Sequence, residues 1–280
     1  MHCHSTASDG EYAPAEVVRR ARAAGLAAIA LTDHDTTDGV PEAEREGATL
    51  GVRVVSGCEF SVKAPWGELH LLGYFLAPGH PQLEEFLAGT RAARRRRAEQ
   101  MVGRLQRLGV NIAIDDVVSA ADGGAVGRPH VARVLVERGA SADINDAFVR
   151  YLGRGRPGYV EKPLPQLGQV AALVHAVGGI VAAAHLGEHG SEGQIRQFQE
   201  QGLDGLEVRP PSHSPATERR LARIAEQLGL AVTGGSDWHG DPELRDAPST
   251  LGGQDIPGEW LEALERRRAN LVAQTRHAES

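Results

Sequence analysis

The 280-residue chain has no long apolar run. No stretch approaches the roughly 18 to 20 apolar residues of a membrane span, and the N-terminus, MHCHSTASDG, has neither the basic start nor the apolar core of a secretory signal. These absences predict a cytoplasmic protein with no membrane partner. Cysteine is scarce: Cys3 and Cys58 are the only two, too few for a disulfide scaffold and without zinc-finger spacing, and both read as small buried residues. An excess of positive charge is missing as well. A formal net charge of −7 argues against a protein that coats duplex nucleic acid or an anionic membrane. Lysine is nearly absent, with Lys63 and Lys162 alone among 30 basic residues. Local anion binding therefore falls to arginine, whose planar fork suits phosphate and carboxylate.

What is present is histidine. The chain carries 12, as many as its 5 Phe, 4 Tyr and 3 Trp together. The rest of the composition, 41% hydrophobic and 24% charged, is that of a globular chain long enough for one large domain or one domain with an insertion.

Short β-rich apolar runs alternate with amphipathic helical patterns, which predicts an α/β fold with parallel strands. Strands are expected at 27–32, 52–56, 69–76, 180–184, 205–208 and 231–233, with helices at 14–24, 167–176 and 215–228 closed by Gly25, Gly178 and Gly229. From about His80 to Lys162 the alternation stops and only helical patterns remain, at 83–108, 128–138 and 144–152. A helical subdomain, residues 80–159, is therefore expected as an insertion into a domain formed by residues 1–79 and 160–280.

Chemistry-bearing residues gather at the ends of these strands. His2 and His4, one residue apart, emerge on the same face of an extended segment, roughly 7 Å apart at the backbone. Ala-Ile-Ala-Leu-Thr runs into Asp33-His34-Asp35, Val-Arg-Val-Val into Ser56-Gly57-Cys58-Glu59, Ile-Val-Ala-Ala-Ala into His185, and Ala-Val-Thr-Gly-Gly into Ser236-Asp237-Trp238-His239; His70 lies inside its run. The carboxyl ends of parallel strands share one mouth, so residues distant in sequence converge there. With Asp9 the set is His2, His4, Asp9, His34, Glu59, His70, His185, Asp237 and His239. Four to six donors satisfy one transition metal, so nine point to two or three divalent ions and to multi-metal displacement at phosphorus. His189 follows His185 by four residues in a Gly-rich context and reads as a loop residue near the site.

The segments HCHSTASDG, LTDHDT, GCEFS, HLLGYF, AAAHLG and GGSDWHG, in that order, resemble the PHP (polymerase and histidinol phosphatase) superfamily of phosphoesterases. The resemblance implies a distorted (β/α)7 barrel with a trinuclear Mn, Zn or Fe centre. It also implies a distribution of ligands: His2, His4, Glu59 and Asp237 on one ion, Glu59 with His70 and His185 on a second, and Asp9, His34 and His239 on a third. Within the insert, GRPHVARVLVERG and AFVRYLGRGRPGYV resemble the subfamily that removes phosphate from nucleotides, including the 3′-phosphate of 3′,5′-bisphosphonucleotides, and that trims short RNA from its 5′ end. That resemblance makes Arg128, His130 and Arg133, at a helix start, candidate phosphate contacts. His213, after the strand ending at Val208, is a further candidate substrate contact. The implied reaction is attack by a metal-bridging hydroxide, with His34, Asp237 and Arg128 as catalytic residues, on a small phosphorylated nucleotide or a short single-stranded RNA.

One departure stands out: family members usually carry Asp two residues before the first His, whereas only Met1 precedes His2. Weaker metal retention is the corresponding expectation. Two alternatives compete. A metal-dependent amidohydrolase also begins with His-x-His, but commonly needs a bridging Lys, and neither Lys63 nor Lys162 falls at an expected strand end. A non-catalytic metal-binding module fits less well with an unbroken ligand list.

Overall fold

The computed structural model describes residues 1–121, 124–241 and 249–278. Their elements run α1 (Pro14–Ala23), β1 (Ala28–Leu31), α2 (Val40–Leu50), β2 (Arg53–Ala64), β3 (Gly67–Tyr74), α3 (Pro81–Arg107), α4 (Ile114–Ala120), α5 (Arg128–Glu137) and α6 (Ile144–Ala147), the last continuing into a π-helical turn, Phe148–Leu152. Then follow α7 (Leu167–Ala176), β4 (Ile180–Ala183), α8 (Glu192–Glu200), β5 (Gly205–Arg209), α9 (Pro215–Leu228), β6 (Ala231–Gly234) and α10 (Gly258–Ala278). The chain divides into two compact units, Met1–Glu84 with Leu164–Ser280, and Glu85–Pro163.

In the first unit the strands form one six-stranded sheet in sequential order. The pairs β1–β2, β4–β5 and β5–β6 are parallel, whereas β3 is antiparallel to both β2 and β4. The all-parallel expectation fails at β3 for a simple reason. Ala64 pairs with Gly67, so only Pro65 and Trp66 connect β2 to β3, and so tight a loop can join only antiparallel strands. β2 also runs on to Ala64, well past the expected end at Ser56. Glu59 and His70 accordingly lie within strands and not at their ends.

The N-terminal segment closes the sheet on itself. Cys3 bridges Leu31 in β1 on one side and Trp238, just past β6, on the other, both in parallel. Thr32 N–H donates to Cys3 O (2.9 Å) and His4 N–H to Trp238 O (2.8 Å), while the Met1 ammonium donates to Gly234 O (2.9 Å). This extended segment is thus the seventh stave of a distorted barrel. Its close approach needs glycine at two points. A Cβ on Gly235 would fall 2.5 Å from the His2 backbone nitrogen, and one on Gly10 would fall 2.7 Å from the His4 carbonyl.

Alternation along the strands separates two apolar clusters. Ile29 and Leu31 of β1 pack with Val17, Val18 and Ala21 of α1, Ala43 of α2, Cys3 and Trp238. Ala30, from the opposite face, joins Val55, Leu72, Tyr74 and Ala182, with Leu264 of α10. The Tyr74 phenol reaches Met1 O at 3.0 Å and Thr233 Oγ1 at 3.2 Å. Helices form where Pro and hydroxyl caps begin an apolar periodicity. α9, for example, starts at Pro215 after Ser214 accepts from Thr217 N–H, and buries Thr217, Leu221, Ile224, Ala225 and Leu228. The second unit is all helical, built around Met101, Leu105, Val117, Val131, Leu135 and Leu152.

The end of the barrel opposite the histidine cluster is tied by Asp204, which precedes β5. This buried carboxylate accepts from Val181 N–H (3.0 Å), Arg267 Nε (3.2 Å) and His175 Nε2 (2.7 Å). Removing it strands the buried Val181 N–H and frees two partly exposed donors, His175 and Arg267, so Asp204→Ala should cost about 1 to 3 kcal/mol. A urea-unfolding midpoint equal to that of the parent chain would refute this role.

Candidate metal centre

Glu59 is the hub. Its side chain is fully buried, and five imidazoles from four separate segments close on its two oxygens. Oε2 lies 3.2 Å from His2 Nε2, 3.2 Å from His4 Nε2 and 3.3 Å from His34 Nδ1; Oε1 lies 2.8 Å from His70 Nδ1 and 3.1 Å from His185 Nε2. Asp237 Oδ1 sits 3.2 Å from the same nitrogens of His2 and His4. Asp9 faces His4 (3.8 Å), His34 (3.9 Å) and His239 (3.4 Å). All nine residues expected at the mouth are therefore adjacent. They fall into overlapping groups, His2/His4/Glu59/Asp237, His4/Asp9/His34/His239 and His34/Glu59/His70, each compact enough for one ion.

The donor geometry fits metal better than hydrogen bonding. Both ring nitrogens of His4 and Nδ1 of His34 are buried without a hydrogen-bond partner, although carboxylate oxygens stand 3.2 Å from His4 Nε2, 3.8 Å from His4 Nδ1 and 3.3 Å from His34 Nδ1. Ligands at about 2.0 to 2.2 Å from one ion are themselves separated by about 3 to 3.5 Å, so such spacing without hydrogen-bond alignment is what a shared ion requires. Electrostatics agree. Burial alone would raise the Glu59 carboxyl, yet His34, His70 and His2 hold it well below the usual carboxylate range. Asp9 and Asp237 are lowered in the same way against burial, by His34 and His239 and by His2 and His4 respectively. Burial opposes charge on His4 and His70 too, but the facing carboxylates raise them to about 10 and about 9. His34 goes the other way, lowered to about 3, because burial outweighs the attraction of Glu59 and Asp9.

Backbone conformation aims these groups. Asp35, His185 and Asp237 all adopt positive φ, 53°, 30° and 46°, where a side chain other than Gly is strained. Each lies where its chain leaves the barrel wall.

Glu207, inside β5, is a site residue that sequence reasoning missed. It accepts from His2 Nδ1 at 3.0 Å and from the His185 backbone N–H at 2.9 Å, which leaves Nε2 of His2 for the cluster. The available signal was a lone Glu in a short apolar strand. Asp33 is a second such residue. It accepts from Ser5 N–H (2.7 Å), Ser5 Oγ (2.7 Å) and Ser8 Oγ (2.6 Å), and so fixes the loop that leads to Asp9.

The expected substrate contacts fare differently. His213 Nε2 accepts from Gly187 N–H (2.8 Å) and its Nδ1 donates to Val208 O (2.9 Å), so both nitrogens hold a loop. His130 is buried, with Nδ1 accepting from Gly127 N–H (3.0 Å) at the start of α5. Arg133 is exposed and donates to Ala120 O at the end of α4 (3.1 Å). Arg128, in the helical unit, places its guanidinium 5.7 Å from the Phe148 ring centre and 5.9 Å from that of Tyr159.

Residues 1–109 match the family model for the PHP domain. A 5′-3′ exoribonuclease of Haemophilus influenzae is 35% identical over 244 residues, covering 85% of this chain and 89% of the relative. A 3′,5′-nucleoside bisphosphate phosphatase of Chromobacterium violaceum is 35% identical over 264 residues, covering 91% and 89%. Among solved structures, a candidate metal-dependent phosphoesterase from Bifidobacterium adolescentis superposes with a TM-score of 0.86 at 34% identity, covering 95% of this chain and 94% of that one.

Two outcomes follow from the geometry. Glu207→Gln should weaken divalent-metal retention about 10- to 100-fold, read by equilibrium dialysis; unchanged retention would remove Glu207 from the site. With His4 and His70 raised to about 10 and about 9, both are protonated at neutral pH in the ion-free protein, and an ion must displace those protons. Affinity should therefore rise with pH up to about 9 to 10. Calorimetry in buffers of different ionisation enthalpy should show protons released at pH 7, and zero release would contradict the raised values.

Proposed function

The chain belongs to the PHP family of metal-dependent phosphoesterases, and from that premise we propose that it hydrolyses phosphate esters of nucleotides, foremost the 3′-phosphate of 3′,5′-bisphosphonucleotides. The observation that carries the reading is the buried Glu59 carboxylate ringed by His2, His4, His34, His70 and His185. Divalent ions such as Mn, Zn or Fe, two or three by the donor count, would be held by the groups His2/His4/Glu59/Asp237, His4/Asp9/His34/His239 and His34/Glu59/His70 and would supply a Lewis acid for phosphoryl oxygens and water of lowered pKa.

The residues divide the remaining work by depth. His2, His4 and Glu59 are buried and form a dry floor. Asp237, His185, His70, Asp9 and His34 keep side chains 16 to 32% exposed, and it is on this side that a phosphate can approach. The left-handed backbone at Asp237 and His185 holds their donor atoms in place before substrate arrives, so little reorganisation accompanies the reaction. His34 and Asp237 are assigned to this reactive set. Arg128, whose guanidinium lies over the Phe148 and Tyr159 rings within the helical unit, is kept as the phosphate contact on the family resemblance alone.

A second reading, 5′-3′ hydrolysis of short single-stranded RNA, is favoured by the exoribonuclease relative at the same identity as the phosphatase. Both substrates place a nucleoside phosphate at one site and differ in what extends beyond. A cytoplasmic setting belongs to the same proposal. No helix among the described residues is long and apolar enough to cross a membrane.

The test is product release, with Mn supplied, from a 3′,5′-bisphosphonucleotide, a 5′-phosphorylated RNA oligomer and histidinol phosphate. Release is expected from the first and at most weakly from the third. Asp237→Asn and His34→Ala should each abolish release with unchanged circular dichroism. Release from none of the three, or full activity in both variants, would overturn the assignment.

A further inference from the structure

Two arms leave the donor cluster and meet beyond it. On the first, His70 is followed back along β3 by Glu68, whose Oε1 lies 3.3 Å from His70 Nε2, and then by Trp66 at the tip of the two-residue hairpin. On the second, His185 leads into a loop that ends, four residues later, at His189. The rings of Trp66 and His189 stack with centroids 4.7 Å apart and planes within 7° of parallel. The ring of Phe198, buried on α8, meets the Trp66 ring nearly edge-on at 6.0 Å. Trp66 is half-buried and His189 is exposed.

The loop that presents His189 is fixed with unusual thoroughness for a surface segment. His213 takes Gly187 N–H, Arg220 donates to Gly187 O (2.7 Å) and Gly190 O (2.8 Å), and Thr217 Oγ1 donates to Glu188 Oε1 (2.7 Å). All these anchors stand on α9 or just before it, and Thr217 and His213 are buried. The result is an ordered aromatic pile whose outermost member, His189, is an exposed residue. Ordering an exposed side chain costs conformational entropy. A preorganised flat face within reach of a phosphoester site is the surface on which a nucleobase stacks.

We propose that the Trp66–His189 stack is the nucleobase platform of this site, the base lying on the exposed face of His189 while the nucleoside phosphate reaches the donor cluster. The proposal rests on the phosphoesterase reading above. Four residues of extended strand span about 13 Å, which bounds the backbone separation of Trp66 from His70 and is short enough for a nucleotide to bridge. Stacking reads the presence of a base and not its hydrogen-bonding edge. All four bases should therefore be accepted, with purines ahead through larger overlap.

A merely structural stack, pinning the hairpin to the loop, makes a different prediction, and the experiment separates the two. KM and kcat are measured for adenosine 3′,5′-bisphosphate and for 1-deoxyribose 3,5-bisphosphate, which keeps the sugar and both phosphates but has no base. His189→Ala should raise KM for the nucleotide about 5- to 100-fold and leave KM for the base-free compound unchanged. Trp66→Ala should act in the same direction, and His189→Phe should restore the parent value because it keeps a π face. Equal effects on both substrates, or no effect of His189→Ala on either, would overturn the platform. Quenching of tryptophan fluorescence by the nucleotide provides a readout independent of turnover. It should be strong in the parent chain, absent with the base-free compound and lost in His189→Ala. Absent phosphate release with quenching intact would instead count against the phosphoesterase reading alone.

Discussion

A carboxylate without access to water governs this molecule. Burying an isolated charge costs several kcal/mol even after relaxation, and Glu59 is buried on β2, which has a neighbouring strand on either side. Only positive charge close by can offset that cost, and the barrel supplies it from several directions through imidazoles. An imidazole can be positive by holding a proton or can stand beside a cation by offering a lone pair. In the ion-free protein the first applies at His4 and His70, whose protonated forms are favoured by the facing carboxylates. The unpaired nitrogens of His4 and His34 show that hydrogen bonding alone does not satisfy the arrangement. Protons and divalent ions therefore compete for one set of atoms, and folding, metal loading and pH are coupled through Glu59.

The N-terminal stave shows how completely this hub is built into the fold. His2 and His4 point to the cluster while Cys3, between them, points into the apolar layer with Ile29, Leu31 and Trp238. One three-residue stretch thus supplies two donors and a core residue by the ordinary alternation of extended chain. The same stretch closes the ring between β1 and β6. Gly10 and Gly235 matter for that reason: each leaves the space in which the stave lies against its neighbours. Glu207 ties the two levels together, since one carboxylate orients the His2 ring and holds the strained His185 backbone.

Much of this was legible in the sequence because the donors come in short, distinctive groups at the ends of apolar runs. The strands at 180–184, 205–208 and 231–233 and the helices at 167–176 and 215–228 could be bounded closely by the same apolar runs and their Pro, Ser and Gly punctuation. Other features were not legible, for physical reasons. The direction of β3 depends on how few residues turn between Ala64 and Gly67, and Pro65-Trp66 next to Gly67 does not reveal a turn so tight while β2 is expected to stop at Ser56. Glu207 sits in Gly-Leu-Glu-Val-Arg, where a single acid could as well be the solvent face of an edge strand. The helices α2 and α8 are rich in charged and polar residues, so their apolar stripes are thin: α8 buries only Ile195 and Phe198. His213 and His130 are expected as substrate contacts, and the backbone groups they also hold, Gly187 N–H and Gly127 N–H, have no signal in the sequence.

That last contrast bears on how the site is made selective. The ring of a histidine can bind an ion, accept a proton, stack, or hold a backbone group, and sequence alone does not separate these uses. Position relative to Glu59 does. Next to it, at 2, 4, 34, 70 and 185, the surroundings are carboxylates and the ring serves charge. One loop away, at 213, both nitrogens meet backbone groups and the ring serves rigidity. At 189 the ring lies flat on Trp66 and is exposed, so neither charge nor anchoring accounts for it. The anchoring done by His213, Thr217 and Arg220 ends in the loop that carries His189. A fold that commits three side chains to steadying an exposed ring beside a phosphoester centre is organised to recognise something flat attached to the phosphate.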